Sequence, residues 1–222
     1  MSRTFQAHTI EQFESYLKRT KVYRTIDHLQ VQHTEIPRHD HYIGENTLIS
    51  MWRNHTRPEP HGRGWDDIGY HIVIAPDGVI WTARSFESEC PGISQASHKG
   101  LVFCVLGNFD IGEDILSGMQ LYATVAALAL TAKIFSIDIS TTITCIGTSV
   151  NREQFLERVK EATLRDIIPT WKLAGLEYLR EQNIFPDFDF WKDRIDASMP
   201  VWAITILIKR LHRELMELKE IK

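Results

Sequence analysis

Apolar residues recur at helical spacing near the start of the chain, where Phe13, Tyr16 and Leu17 follow a Thr9–Gln12 pair set as a capping box. The pattern predicts a short amphipathic helix through about Lys21, and then a strand over Leu29 to Gln32 that Pro37 ends. Asn46 is placed to cap a second helix carrying Leu48, Ile49 and Trp52, and the PEPHGRG stretch after it reads as a loop. The two apolar runs of YHIVIAPDGVIWTAR meet at Pro76-Asp77-Gly78, a hairpin signal. After a surface loop over residues 85 to 100, LVFCVLG reads as a central strand buried on both faces. Ser117 and Gln120 suggest a capping box for a long apolar helix, MQLYATVAALALTAKIF. Asn151 and Gln154 suggest another, for a helix carrying Phe155, Leu156 and Val159 that stops at Pro169. The expected class is α/β, a mixed central sheet flanked by helices over residues 25–168.

Residues 1–24 read as a helical brace in front of this unit, and residues 169–222 as a small helical C-terminal region. In the latter, Trp171 to Gln182 predicts a helix and PDFDFWKDRID a polar, aromatic connection. Beyond Pro200, apolar residues at Val201, Ile204, Ile208, Leu211, Leu215 and Leu218 give one helix face that wants a partner. That partner is either helix 171–182 or a second molecule, so a homodimer through these helices is one expectation.

Charge narrows the functional classes. Twenty-five Lys and Arg against 29 Asp and Glu give a net charge of -4, which offers no global positive field for nucleic acid or anionic membrane. No membrane span is expected, because even VWAITILI is bounded by Pro200 and by Lys209 and Arg210. The three cysteines, Cys90, Cys104 and Cys145, form neither a CxxC pair nor a disulfide framework. His39 and His41 fall on a loop, and His55, His61, His71 and His98 could surround a groove, but none is spaced as a compact metal motif.

The segments LQVQHTEIP, RGWDDIGYHIVIAPDGVIWTAR and LVFCVLGNFD, in that order, resemble the N-acetylmuramoyl-L-alanine amidase family, which includes the peptidoglycan recognition proteins. The likeness spans about residues 25 to 160. It implies the type 2 amidase fold and a zinc ion held by two His and one Cys or Asp, with water in the fourth position. On the matching positions this sequence carries Gln32 for the first ligand, Ile137 for the second and Cys145, in TCIG, for the last. Tyr70 matches the catalytic tyrosine, while Ile143 stands where a polar helper belongs. His33, beside the first ligand position, points to the opposite face of a regular strand.

The resemblance therefore implies a catalytically degenerate amidase-like domain, a pseudoenzyme that binds peptidoglycan fragments or serves a structural role. Trp65, Tyr70, His71, Arg84 and His98 are its candidate ligand contacts. No metal or other cofactor is expected. One alternative is an active zinc-dependent amidase whose site is rescued by Cys145 and His33, with Tyr70 catalytic; another is a protein-protein assembly module. The first residues lack a secretory signal pattern. Synthesis in the cytoplasm and action at a bacterial cell wall, or in a prophage or phage-like particle, are the corresponding expectations.

Overall fold

A computed structural model describes residues 3–91, 99–165, 167–168, 170–182, 187–193 and 209. The strands are β1 (Gln6–His8), β2 (His28–His33), β3 (Ile72–Ile74), β4 (Ile80–Thr82), β5 (Gly100–Val105) and β6 (Ile143–Cys145). The helices are α1 (Ile10–Arg19), α2 (Glu45–Thr56), α3 (Gly118–Phe135), α4 (Arg152–Leu164), α5 (Thr170–Glu181) and α6 (Phe188–Lys192). One sheet of order β1-β4-β3-β5-β2-β6 joins all six strands. It is mixed: β2 runs parallel to β5 and β6, β3 runs parallel to β5, and β4 is antiparallel to β3 and β1. The expected sheet flanked by helices is thus the one observed.

Strand alternation sorts the core into two layers. Leu29, Val31, Ile72, Ile74, Leu101, Phe103 and Val105 join one cluster with Phe13 and Leu17 of α1, the alanine-rich side of α3, and Phe155 and Val159 of α4. Val73, Ala75, Trp81, Cys104 and Leu106 join a second cluster with Leu48 and Met51 of α2. β5 is buried along its whole length because it contributes to both. Each fully buried Leu or Phe adds roughly 2 kcal/mol of apolar burial. The helix α3 is the one described segment long and apolar enough to cross a membrane, and it packs here as the core helix between α1 and α4.

The α1 capping box forms as expected, with the Thr9 hydroxyl accepting from Gln12 and the Gln12 side chain accepting from the Thr9 N–H. At α4 the Asn151 side chain accepts from the Gln154 N–H. Two expected caps are replaced. The N-cap of α2 is Gly44, at φ +68°, rather than Asn46, because Thr47 turns back to bond the Ile43 N–H and the His41 carbonyl. At α3, Ser117 makes no side-chain cap. Gln120 is drawn inward instead: its NH2 donates to the Leu106 carbonyl at 2.7 Å and its oxygen accepts from His39 Nε2 at 2.8 Å. The predicted connection after residue 185 contains α6, whose Phe188 is buried with Leu173 and Leu176 of α5 against Met119 of α3. Strand β1 has no counterpart in the sequence pattern; three residues pair with β4, with Ala7 opposite Trp81. The amphipathic stretch beyond Pro200 lies outside the described residues.

Candidate functional site

Of the residues singled out by sequence, the face of the sheet toward α2 carries Gln32, Cys145 and Tyr70. In the parallel registers Gln32 stands opposite Cys104 on one side and Cys145 on the other. Paired residues of parallel strands point the same way, so these three side chains form a row across the face. Cys104 is fully buried, Gln32 is half-buried, and Cys145, on the edge strand, is exposed. The thiol lies open to solvent because β6 is a three-residue edge strand.

Cys104 hydrogen-bonds with the hydroxyl of Tyr70, and burial pushes both groups well above their ordinary titration ranges. Both stay neutral at physiological pH. Tyr70 in turn meets His55 edge-on, with ring centroids 5.4 Å apart, and His55 lies 4.9 Å from Trp65. His55 is pinned by the Gly69 N–H, which donates to its Nδ1 at 3.1 Å. Burial, and then the positive fields of Arg63 and Arg84, push its pKa down to about 4. The Arg63 guanidinium sits 5.0 Å over the Trp65 ring. A continuous path of Arg63, Trp65, His55, Tyr70, Cys104, Gln32 and Cys145 therefore crosses this face from the end of α2 to the sheet edge.

Beside Gln32 on the same face lies a second carboxamide, Gln30, whose Nε2 donates to His28 Nε2 at 2.9 Å. His28 can accept there because its Nδ1 donates to Asp27 at 2.6 Å. The Gln30 oxygen is buried and has no hydrogen-bond partner among the described residues.

Two residues expected at the ligand are interior. His71 is fully buried. Its Nδ1 accepts from the Val102 N–H at 2.9 Å and its Nε2 donates to the Ser88 carbonyl at 2.9 Å, which assigns the neutral Nε2-H tautomer. Burial pushes its pKa down to about 3. Cys90, 3.3 Å from His71 Nδ1, has its thiol pushed up to about 12 by burial, so the two do not form an ion pair. Arg84, 3% exposed, donates to the carbonyls of Ile68, Asp67 and Glu89 and grips Asp66 with both terminal nitrogens. His71 and Arg84 hold the 66–90 region together and do not reach the Tyr70 face. Asp67 fixes its own loop, with its carboxylate accepting from the Ile68 N–H and from Arg3. His98 lies outside the described residues.

The amidase zinc set can be tested against this geometry. His33 lies on the other face, where its Nδ1 accepts from the Phe109 N–H and its ring packs on Phe109. Ile137 is buried in the α1–α3–α4 core, so it is not beside Gln32 and Cys145. What converges is one carboxamide and one exposed thiol. Among the described residues no group of three His, Cys, Asp or Glu side chains is placed to hold a metal ion. These residues do not fit a zinc ion of the two-His, one-Cys kind.

No protein-family model matches the chain. No curated protein matches it by sequence either. Solved structures do match its fold. The N-acetylmuramoyl-L-alanine amidase LysC from Clostridium intestinale aligns over 64% of this chain and 98% of its own, at 17% identity and a TM-score of 0.51. The endolysin amidase LysCS from the same organism aligns over 61% and 84%, at 17% identity and 0.50. A mutant of Drosophila PGRP-LB, in complex with tracheal cytotoxin, aligns over 66% and 76% at 17% identity, with a lower TM-score of 0.47. The fold of this chain is that of the amidases, and the two clostridial enzymes carry that statement.

Proposed function

From a fold held in common with N-acetylmuramoyl-L-alanine amidases, we propose that this chain binds peptidoglycan fragments on the Tyr70 face and leaves them uncleaved. The observation that carries the reading is the Cys104–Gln32–Cys145 row, which puts a carboxamide where the amidase chemistry calls for an imidazole ligand. A carboxamide offers two N–H donors and an acceptor, which suits the amide and hydroxyl groups of a sugar-peptide. Trp65, half-exposed and braced by His55, offers a flat apolar surface for a sugar ring. Tyr70, partly exposed, lines the same side. Since the donor set does not fit zinc, no cleavage step is assigned.

The test is a calorimetric titration with N-acetylmuramoyl-L-alanyl-D-glutamate. The wild-type chain is expected to bind saturably, and Gln32→Leu and Trp65→Ala are each expected to weaken binding about tenfold, the equivalent of about 1.4 kcal/mol. Thermal unfolding of both variants should stay near wild type, because neither side chain is fully buried. A wild-type chain that shows no heat of binding would sink the reading.

A further inference from the structure

Strand alternation places His28, Gln30 and Gln32 one after another on the same face of β2. Across from Gln30 stand Val102 on β5 and Ile143 on β6, and neither carries a hydrogen-bonding side chain. Gln30 is 1% exposed, so its carboxamide is out of reach of a ligand. Only one end of that carboxamide is satisfied: Nε2 donates to His28, while the oxygen has no partner among the described residues. An unmet buried acceptor is destabilising. A water in its place would meet apolar side chains on both flanks, without the polar partners that hold buried water.

The direction of the carboxamide is fixed from behind. Asp27 accepts from His28 Nδ1, which leaves His28 Nε2 as an acceptor. The nitrogen end of Gln30 is the end that can meet it, because the reverse placement would set an oxygen against a nitrogen lone pair. Gly100 gives the two groups room, since a Cβ there would sit 2.7 Å from His28 Nε2 and 3.1 Å from Gln30 Nε2. With the nitrogen drawn back over the His28–Gly100 pair, the oxygen is left on the side of the next pair along, Gln32 and Cys104. Cys104 is engaged with Tyr70. The donor that the strand itself places beside the Gln30 oxygen is the NH2 group of Gln32, on a half-buried, flexible side chain.

We propose that Gln30 is a positioning residue for the binding face, a role that rests on the peptidoglycan reading above. Its oxygen takes a hydrogen bond from Gln32 Nε2 when a ligand covers the face. Gln32 then turns its own oxygen outward, so the group it recognises is a ligand N–H and not a ligand carbonyl. The acetamido and peptide amides of a sugar-peptide supply such donors. A carboxamide free to flip would serve either kind of group, and the Asp27–His28–Gln30 chain removes that freedom.

The test is a double-mutant cycle in the calorimetric titration with N-acetylmuramoyl-L-alanyl-D-glutamate. Gln30→Met, which leaves the surface unchanged, should weaken binding about tenfold. Gln30→Met/Gln32→Leu should bind as Gln32→Leu alone does, because without Gln32 there is nothing for Gln30 to orient. Losses that multiply in the double variant, or a Gln30→Met chain that binds as wild type does, would overturn the role while peptidoglycan binding stands. The wild-type chain gives a second reading by NMR. In its complex one side-chain N–H of Gln32 should exchange with solvent more slowly than in the free chain, and equal exchange would also overturn the role. A wild-type chain that does not bind removes the peptidoglycan reading and this role together.

Discussion

Replacing His71 with phenylalanine should lower the unfolding free energy at pH 7 by about 3 kcal/mol, because the Val102 N–H and the Ser88 carbonyl lose their buried partner. The pH dependence supplies the sharper signature. His71 and His55 are held neutral in the fold, with pKa values of about 3 and about 4, whereas a histidine in the unfolded chain titrates near 6.5. Above pH 6.5 neither state binds the proton and these groups contribute no pH dependence. As pH falls below 6.5 the unfolded chain takes up protons that the fold refuses, so wild-type stability declines by about 1.4 kcal/mol per pH unit for each histidine. Both act down to about pH 4 and His71 alone down to about 3. His71→Phe removes one of the two, so its stability should fall less steeply and the two curves should converge near pH 4. Urea denaturation between pH 7.5 and 4 reads this directly, and parallel curves would show that His71 is not held neutral.

Arg84→Met should cost about 3 kcal/mol, because the carbonyls of Ile68, Asp67 and Glu89 lose their donor while the exposed Asp66 returns to solvent. The guanidinium closes the 66–90 region by satisfying three carbonyls and pinning Asp66, and methionine fills the space without supplying a donor. Arg84→Lys should recover only part of the loss, since an ammonium cannot span these acceptors in one plane. Melting temperatures of the three proteins check the order wild type, Arg84→Lys, Arg84→Met. A ligand-contact role would give the reverse: near-normal stability of the methionine variant and lost binding.

Most of the fold was written in periodicities the chain could hardly disguise. The alternation and Pro-Asp-Gly turn of residues 70–84, the unbroken apolar run of β5 and the Thr9–Gln12 box each correspond to an observed element. What escaped was set by partners distant in sequence. The strand β1 exists because β4 offers an edge, and Gln120 leaves its cap because His39 and the Leu106 carbonyl claim it. Ile137 was matched by counting back from Cys145. A 3-10 turn at Ile139–Thr141 intervenes and turns the two residues into different environments.

The candidate site was legible where strand alternation could be used. That rule puts Gln32 and His33 on opposite faces. Tyr70 and His71 lie just before β3, outside its alternation, so the burial of His71 among Val102, Ser88 and Cys90 was not readable from strand pattern. Arg84 was harder, because no local pattern reveals that an arginine after a strand will be buried by carbonyls from residues 67, 68 and 89.

The most direct test of peptidoglycan binding without cleavage is to hold N-acetylmuramoyl-L-alanyl-D-glutamate with saturating protein and equimolar zinc overnight and weigh the products by mass spectrometry. The expected result is an intact fragment, recovered from a complex whose formation calorimetry has already shown. Free L-alanyl-D-glutamate appearing in proportion to protein would contradict it, and would mean that the Gln32–Cys145 face supports the hydrolysis its donors do not fit.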